Sequence, residues 1–212
     1  MMDIKAISSS EISKPSVSEN KSFDPDKRID VNQKQDTKDN LGYDVDKRVE
    51  TAEDKKYYDD NGNVYRVGDK LVADNNYKIN GYEYKTDGEG RIVSAKGKLH
   101  LKEHSGRQNI IDKKEVVGEG YQKTTDDRGH LIGDQFGGSN GKENLLPQDA
   151  KLNQGEVKNL EKSLAKQVDA GNEVYLKVEP HYEQYSKRPD SYTYTYTING
   201  DTNVKFYRNG EN

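Results

Sequence analysis

Two stretches of this chain bring reactive side chains together. The first is Asp127-Arg128-Gly129-His130, followed by Leu131-Ile132-Gly133-Asp134 and Phe136-Gly137-Gly138. Histidine has an ordinary pKa of about 6.5 and takes a proton near neutral pH, which makes His130 a candidate general base. A glycine beside it lets a bulky substrate approach, because that neighbour has no side chain in the way. The second stretch runs from about Asn153 to Val168, where Val157, Leu160, Leu164 and Val168 recur at helical spacing. On a wheel of about 100° per residue with Val157 at zero, these apolar residues fall between about −60° and +20°. Asn153 falls near −40° and Glu161 near +40°, inside the face that packs inward. A carboxylate on that face is costly unless something compensates it. Either a cation with its ordered waters does so, or Glu161 sits at the edge of the stripe and reaches solvent or a lysine. His100, His104 and His181 lack such company and read as structural.

Composition narrows the choice of ion. Cysteine is absent and there are four histidines, so thiolate sites are excluded and a histidine cage is improbable. A hard, oxygen-loving ion such as Mg²⁺ fits the remaining donors, with Mn²⁺ as an alternative. The formal net charge of −4 argues against nucleic acid until its distribution is considered. Residues 1–60 carry 11 Lys and Arg against 15 Asp and Glu, so the rest of the chain is neutral. A neutral body binds nucleic acid weakly on electrostatics alone, and a bound dication supplies positive charge where it matters.

The elements that must position these residues follow from patterning. Residues 1–50 are rich in Ser, Asp, Lys and Asn without a sustained period, and read as a disordered or linker-like tail. Within it, Phe23–Asp30 resembles Tyr43–Glu50, which suggests a pair of short linker or docking elements. Residues 51–212 form the expected functional domain. Asn61-Gly62, Asn80-Gly81 and Asp87-Gly88 separate short strand-like segments, so 57–102 reads as a β-meander of tight hairpins. The catalytic part spans 103–170, and strands fill 173–208. In Ser191–Ile198, Tyr192, Tyr194, Tyr196 and Ile198 alternate with Thr193, Thr195 and Thr197, and Asn199-Gly200 turns the chain back. That tyrosine stripe could stack nucleobases, but an amphipathic sheet face explains it better. No run approaches the roughly 18 apolar residues of a membrane span, and Met1–Asn20 has no apolar signal core of about 7–15 residues. Membrane insertion and classical secretion are therefore not expected.

Three motifs in order carry a family resemblance. Asp127-Arg128-Gly129-His130, then Asn144-Leu145-Leu146-Pro147-Gln148, then Leu152-Asn153-Gln154-Gly155 with Glu161 eight residues after Asn153, resemble the DNA/RNA non-specific endonucleases. That family belongs to the His-Me finger (ββα-metal) superfamily. The resemblance implies an α+β fold, with an antiparallel β-sheet and a ββα-metal catalytic core. It implies that His130 is the general base that deprotonates the attacking water. Asn153 matches the lone protein ligand of one Mg²⁺, and Glu161 matches the acidic residue that orients metal-bound waters. Asn144 matches a polar, positional site residue, while Arg128 and Asp127 shape the site. Familiar members carry an arginine one turn after the glutamate, where this chain has Ala165. The transition-state cation is therefore sought first in Arg107, then in Arg188, Lys162 and Lys166.

The resemblance also implies partners: DNA, RNA as a second substrate class, and a cognate immunity or inhibitor protein. Such domains often form the toxic module of a secreted bacterial protein. Export by a leaderless route, or a cytoplasmic location with an inhibitor, follows from that reading. The alternative is a non-catalytic nucleic-acid-binding or partner-binding module on the same scaffold, which would have no need of His130, Asn153 and Glu161 together.

Overall fold

The computed structural model describes residues 55–103 and 117–210, all within the unit Arg48–Asn212. The tail repeat, His104 and Arg107 lie outside the described residues. The meander expected over 57–102 divides between two sheets. β1 (Lys56–Tyr58), β2 (Val64–Val67) and β3 (Lys70–Leu71) form a small antiparallel sheet. β4 (Asn76–Ile79), β5 (Tyr82–Thr86) and β6 (Ile92–Lys98) begin a larger one.

The turns explain the division. At Asn80-Gly81 both residues have positive φ, 53° and 83°, so β4 and β5 are joined by the tight hairpin that this pair favours. The other two pairs behave differently. At Asn61-Gly62 only the glycine has positive φ, and the Asp59 carboxylate organises the turn by accepting from the Asn61 and Asn63 amides. Between β5 and β6 the Asp87 carboxylate accepts from the amides of Glu89 and Arg91, giving a wider loop with a register shift at Lys85/Thr86. Side-chain capture of turn amides is the competing chemistry that aspartate brings to such sites.

The chain then leaves the large sheet for the motif-bearing segment. β7 (Asp126–His130) and β8 (Leu145–Asp149) pair antiparallel as a separate ribbon, with His130 opposite Leu145 and Arg128 opposite Pro147. A helix follows in three sections without a break: α1 (Ala150–Leu152), a π-helical turn over Asn153–Val157, and α2 (Lys158–Asp169). Asp149 caps it, its carboxylate accepting from the Lys151 and Leu152 amides. β9 (Val174–His181), β10 (Ser191–Ile198) and β11 (Asp201–Arg208) return to the large sheet, whose order is β11-β10-β9-β6-β5-β4. Among the described residues no helix is long and apolar enough to cross a membrane.

Helix and sheet meet through Val157, Leu160 and Leu164 on one side and Val174, Leu176, Val178, Tyr192 and Tyr194 on the other, all buried. The tyrosine stripe of β10 is thus core at Tyr192 and Tyr194, not a stacking platform. Aliphatic residues are scarce, and tyrosine rings fill their place while each hydroxyl seeks a partner. Three of those partners are carbonyls of the motif-bearing segment. Tyr77 Oη donates to Glu143 O at 3.1 Å, Tyr82 Oη to Phe136 O at 2.5 Å, and Tyr192 Oη to Pro147 O at 3.0 Å. Gly97 makes room for one of them, since a Cβ there would lie 2.6 Å from the Tyr82 ring.

The far end of the ribbon is held by charge. Arg188 Nε and Nη2 grip the two Asp126 oxygens at 2.7 and 2.8 Å, and Nη2 also donates to Asn209 O. Burial pushes the Asp126 carboxyl up, but the Arg188 hydrogen bonds and the Lys123 amide hold it below its ordinary value. Asn209 Nδ2 adds a bond to Pro147 O at 2.9 Å.

Tyr82→Phe and Tyr192→Phe keep the ring and remove the grip on the carbonyl, in Tyr82 together with the 3.2 Å contact of its hydroxyl with His100 Nδ1. Each is expected to lower unfolding free energy by about 1 kcal/mol, the net worth of such a bond, in urea denaturation. Arg188→Ala strands a buried carboxylate and should cost more, about 3–5 kcal/mol.

Candidate active site

His130 ends β7, half-buried, with Nε2 lying 2.7 Å from Asn140 Oδ1 in the loop that follows. The glycine before it serves a purpose other than substrate access. A Cβ at Gly129 would fall 2.6 Å from Gln148 Cβ across the ribbon, and Gly129 is buried. That position is glycine because the protein's own packing requires it, and the expectation of an opened approach to His130 is corrected accordingly.

The loop from Leu131 to Asn144 is fixed by Asn144, which is fully buried. Its Oδ1 accepts from the Ile132 amide at 2.9 Å, and its Nδ2 donates to Ile132 O and Ser139 O, each at 2.8 Å. Every bond here goes to the loop backbone, so Asn144 acts by shaping the loop that carries Asp134 and Asn140. Gly138 is equally constrained, because a Cβ there would overlap Ile132 O at 1.8 Å.

The helix meets this segment at two points, one on each side of His130 in sequence. Before it, Asp127 Oδ2 accepts from Asn153 Nδ2 at 3.0 Å and from Gln154 Nε2 at 2.8 Å. After it, the Glu161 carboxylate lies against Gly133, where a Cβ would sit 2.6 Å from Oε1. Asp127 and His130 are three residues apart on an extended strand, roughly 10 Å. The π-helical turn begins at Asn153, whose carbonyl accepts from the Lys158 amide five residues on. Such turns change the helical phase locally and occur often at functional positions.

Two features fit a divalent cation at this junction. Asp127 holds the amino end of the Asn153 amide, which leaves the acceptor Oδ1 as the end available to an ion. Glu161 is half-buried, and among the described residues its hydrogen bonding is limited to a long 3.5 Å contact from Gln135 Nε2. Burial pushes its carboxyl up to about 7, against a weaker downward pull from Gln135. This is a carboxylate short of compensation, as a nearby cation would supply. Among the described residues no three His, Asp or Glu side chains gather to cage an ion. An ion held through Asn153 would therefore keep most of its water, a mode that suits Mg²⁺.

Other candidates are placed elsewhere. Arg188, considered above as a transition-state cation, has its donors engaged by Asp126, Pro189 O and Asn209 O. Lys162 and Lys166 lie exposed on α2, and Arg128 is half-buried on β7. A concavity of about 660 Å³ on the large sheet is lined by paired charges such as Lys96–Glu83 and Lys177–Glu179, and includes none of these residues. Sequence reasoning missed Asn140 and the orienting contact of Asp127. The Asp, Asn, Ser and Gly density of 133–144 signalled a loop, without indicating which polar side chain meets the imidazole.

The Glu161 carboxyl sets a pH dependence in metal-free protein. Its folded value of about 7 exceeds the ordinary 4.5, so folding favours the protonated form. That contribution is complete below pH 4.5 and is lost as pH rises through about 7. Glu161→Gln removes the dependence. In EDTA the variant's melting temperature should overtake that of the parent between pH 5 and about 8, by the equivalent of at most about 3 kcal/mol.

Residues 73–200 match the family described as DNA/RNA non-specific endonuclease. Over 144 residues, 64% of this chain, the sequence is 36% identical to the type VII secretion system protein EssD of Staphylococcus aureus (strain USA300), of which it covers 23%. It is 31% identical over 115 residues, 52% of this chain, to the probable deoxyribonuclease RhsA of Dickeya dadantii (strain 3937), of which it covers 8%. The chain thus spans less than a quarter of the length of these relatives. With well over half of its length matched, the chain belongs to the DNA/RNA non-specific endonuclease family.

Proposed function

We propose that this chain is a metal-dependent endonuclease that hydrolyses phosphodiester bonds in DNA, and in RNA as a second substrate, with His130 as general base. The observation that carries the reading is the docking of Asn153 and Glu161 onto the strand and loop on either side of His130. Such a site recognises the phosphate backbone and not base edges, which fits cleavage without sequence preference.

In this mechanism His130 takes a proton from water as the water oxygen bonds to phosphorus and the bond to the leaving oxygen breaks. A single Mg²⁺, for which Mn²⁺ can substitute, would neutralise charge on the phosphate and the leaving oxygen when bound. Asn153 would hold it through Oδ1, and Asp127 fixes that amide's orientation. Glu161 would order its waters, and cation binding would draw the carboxyl back to its ionised form. Asn144 keeps the intervening loop in register. Arg107 is the first cation proposed for the phosphate, with Lys162 and Lys166 behind it, while Arg128 shapes the site.

Similarity to a type VII secretion system protein and to a probable deoxyribonuclease supports a role as the toxic module of an exported bacterial protein. A nuclease without sequence preference endangers the cell that makes it, so a dedicated immunity or inhibitor protein is the implied partner.

Digestion of supercoiled plasmid and structured RNA tests the reading. Cleavage should require Mg²⁺ or Mn²⁺ and stop in EDTA. His130→Ala should lose about 10²–10⁴-fold in kcat with an unchanged melting temperature. Asn153→Ala should shift the Mg²⁺ requirement upward by at least about 10-fold. A His130→Ala protein that cuts at the parent's rate removes the mechanism.

A further inference from the structure

The two edges of the large sheet are finished in opposite ways. At β4 the protein closes the edge itself: Lys78 O accepts from the Asp60 amide at 2.7 Å, and the Lys78 amide donates to Asp59 Oδ2 at 3.2 Å. β11 forms the other edge. Asn199 N donates to Glu173 O on the β9 side of β10, and Asn209 N donates to Asp190 O on its β11 side. Antiparallel ladders alternate, so Asp201, Asn203, Lys205 and Tyr207 exchange bonds with β10. The backbone groups of Thr202, Val204, Phe206 and Arg208 therefore point away from the sheet. Arg208 O accepts from Gly210 N at 3.1 Å, and among the described residues the outward groups of the other three have no protein partner.

Proteins commonly blunt such an edge with a proline, a bulge or a very short strand. β11 has none of these, since eight residues pair with β10 in unbroken register. Val204 and Phe206 stand on the face away from the helix, 63% and 58% exposed. Lys205 lies between them on the helix side and Arg208 follows, and neither forms an ion pair among the described residues. Lys205 borders a groove of about 520 Å³ whose other wall is the helix, through Glu156, Asn159 and Ser163.

We propose that β11 is a docking edge on which a partner protein adds an antiparallel strand whose side chains alternate between apolar and acidic. The open amides and carbonyls supply the ladder, and pockets on alternate sides read the sequence. Apolar side chains of the added strand meet Val204 and Phe206, and acidic ones meet Lys205 from the other face. A second copy of this chain fits less well. The register that sets Val204 against Phe206 of another copy also sets Lys205 against its counterpart, and like charges directly opposite are unfavourable. The added strand would reach the groove beside the π-helical turn, on the helix that carries Asn153. Docking here needs neither His130 nor a bound ion, and is separate from cleavage.

Amide hydrogen exchange followed by NMR tests this on the full chain. In the free protein the Asn203 and Lys205 amides should exchange slowly, and those of Thr202, Val204 and Phe206 quickly. A synthetic peptide alternating valine and aspartate should protect the second set. A peptide of the same composition with its valines in one block should not. Val204→Pro removes an amide that β10 does not use, at the kind of edge position where proline is tolerated. It should weaken the peptide by at least about 10-fold while the Asn203 and Lys205 amides stay protected. Lys205→Glu leaves the backbone untouched and should turn the preference toward a peptide alternating valine and lysine. Failure of the valine–aspartate peptide to protect these amides, equal protection by the block peptide, or a Lys205→Glu protein with the parent's preference overturns the proposal. So does protection without peptide. If it rises with protein concentration the occupant is a second copy, and if it holds at every dilution the protein's own chain covers the edge. Protection by an oligonucleotide in place of the peptide assigns the edge to nucleic acid and overturns the proposal as well.

Discussion

A ribbon of two five-residue strands has too little surface to be stable alone, so the motif-bearing segment depends on what grips it. In this protein the grip is the tyrosine hydroxyl. Tyr77, Tyr82 and Tyr192 each bury a ring in the large sheet and extend an O–H to a carbonyl between Phe136 and Pro147. With 30% hydrophobic residues, the chain could not assemble a conventional aliphatic core of this extent. Tyrosine resolves the shortage by supplying apolar area and a directional bond from the same side chain. The large sheet is therefore the template on which the segment around His130 is held in one conformation.

The helix is registered onto that segment by polar contacts as well as by its apolar stripe. Val157, Leu160 and Leu164 set its depth against the sheet. Asp127, on the strand that ends at His130, sets the rotation of its first turns by engaging Asn153 and Gln154. The π-helical turn begins at the same Asn153. A turn with one extra residue per hydrogen-bonded ring is less favourable than regular helix, and its position coincides with the residue that the mechanism assigns to the ion. Local irregularity at the site and regularity beyond it, in α2, is the division expected when function and not folding dictates the geometry.

Much of this was legible in the sequence, for identifiable reasons. The alternation in Ser191–Ile198 and the turn at Asn199-Gly200 predicted β10 and its hairpin, because strand periodicity and left-handed turn residues are local properties. The helical stripe predicted α2 and left Glu161 either inward or at the edge of the stripe, and the structure half-buries it. The ordered motifs located the ββα segment where composition alone reads only as loop. Asp87-Gly88 did not form its tight hairpin, since the Asp87 side chain captured the turn amides instead. The purpose of Gly129 was invisible because it is set by Gln148, which lies 19 positions away and faces it only once the ribbon has formed. The contacts of Asn140 and Asp127 were equally hidden, since short polar side chains in irregular segments carry no period to read.

The central claim is spatial: an ion held by Asn153 sits beside the His130 ring. Paramagnetic broadening by Mn²⁺ reads that proximity directly, because the effect falls off steeply with distance. Titrating Mn²⁺ into ring-labelled protein should broaden the His130 resonances first, while His181 on the large sheet stays sharp, and Asn153→Ala should abolish the effect at the same ion concentration. Broadening that spares His130, or that persists undiminished in Asn153→Ala, would contradict the account.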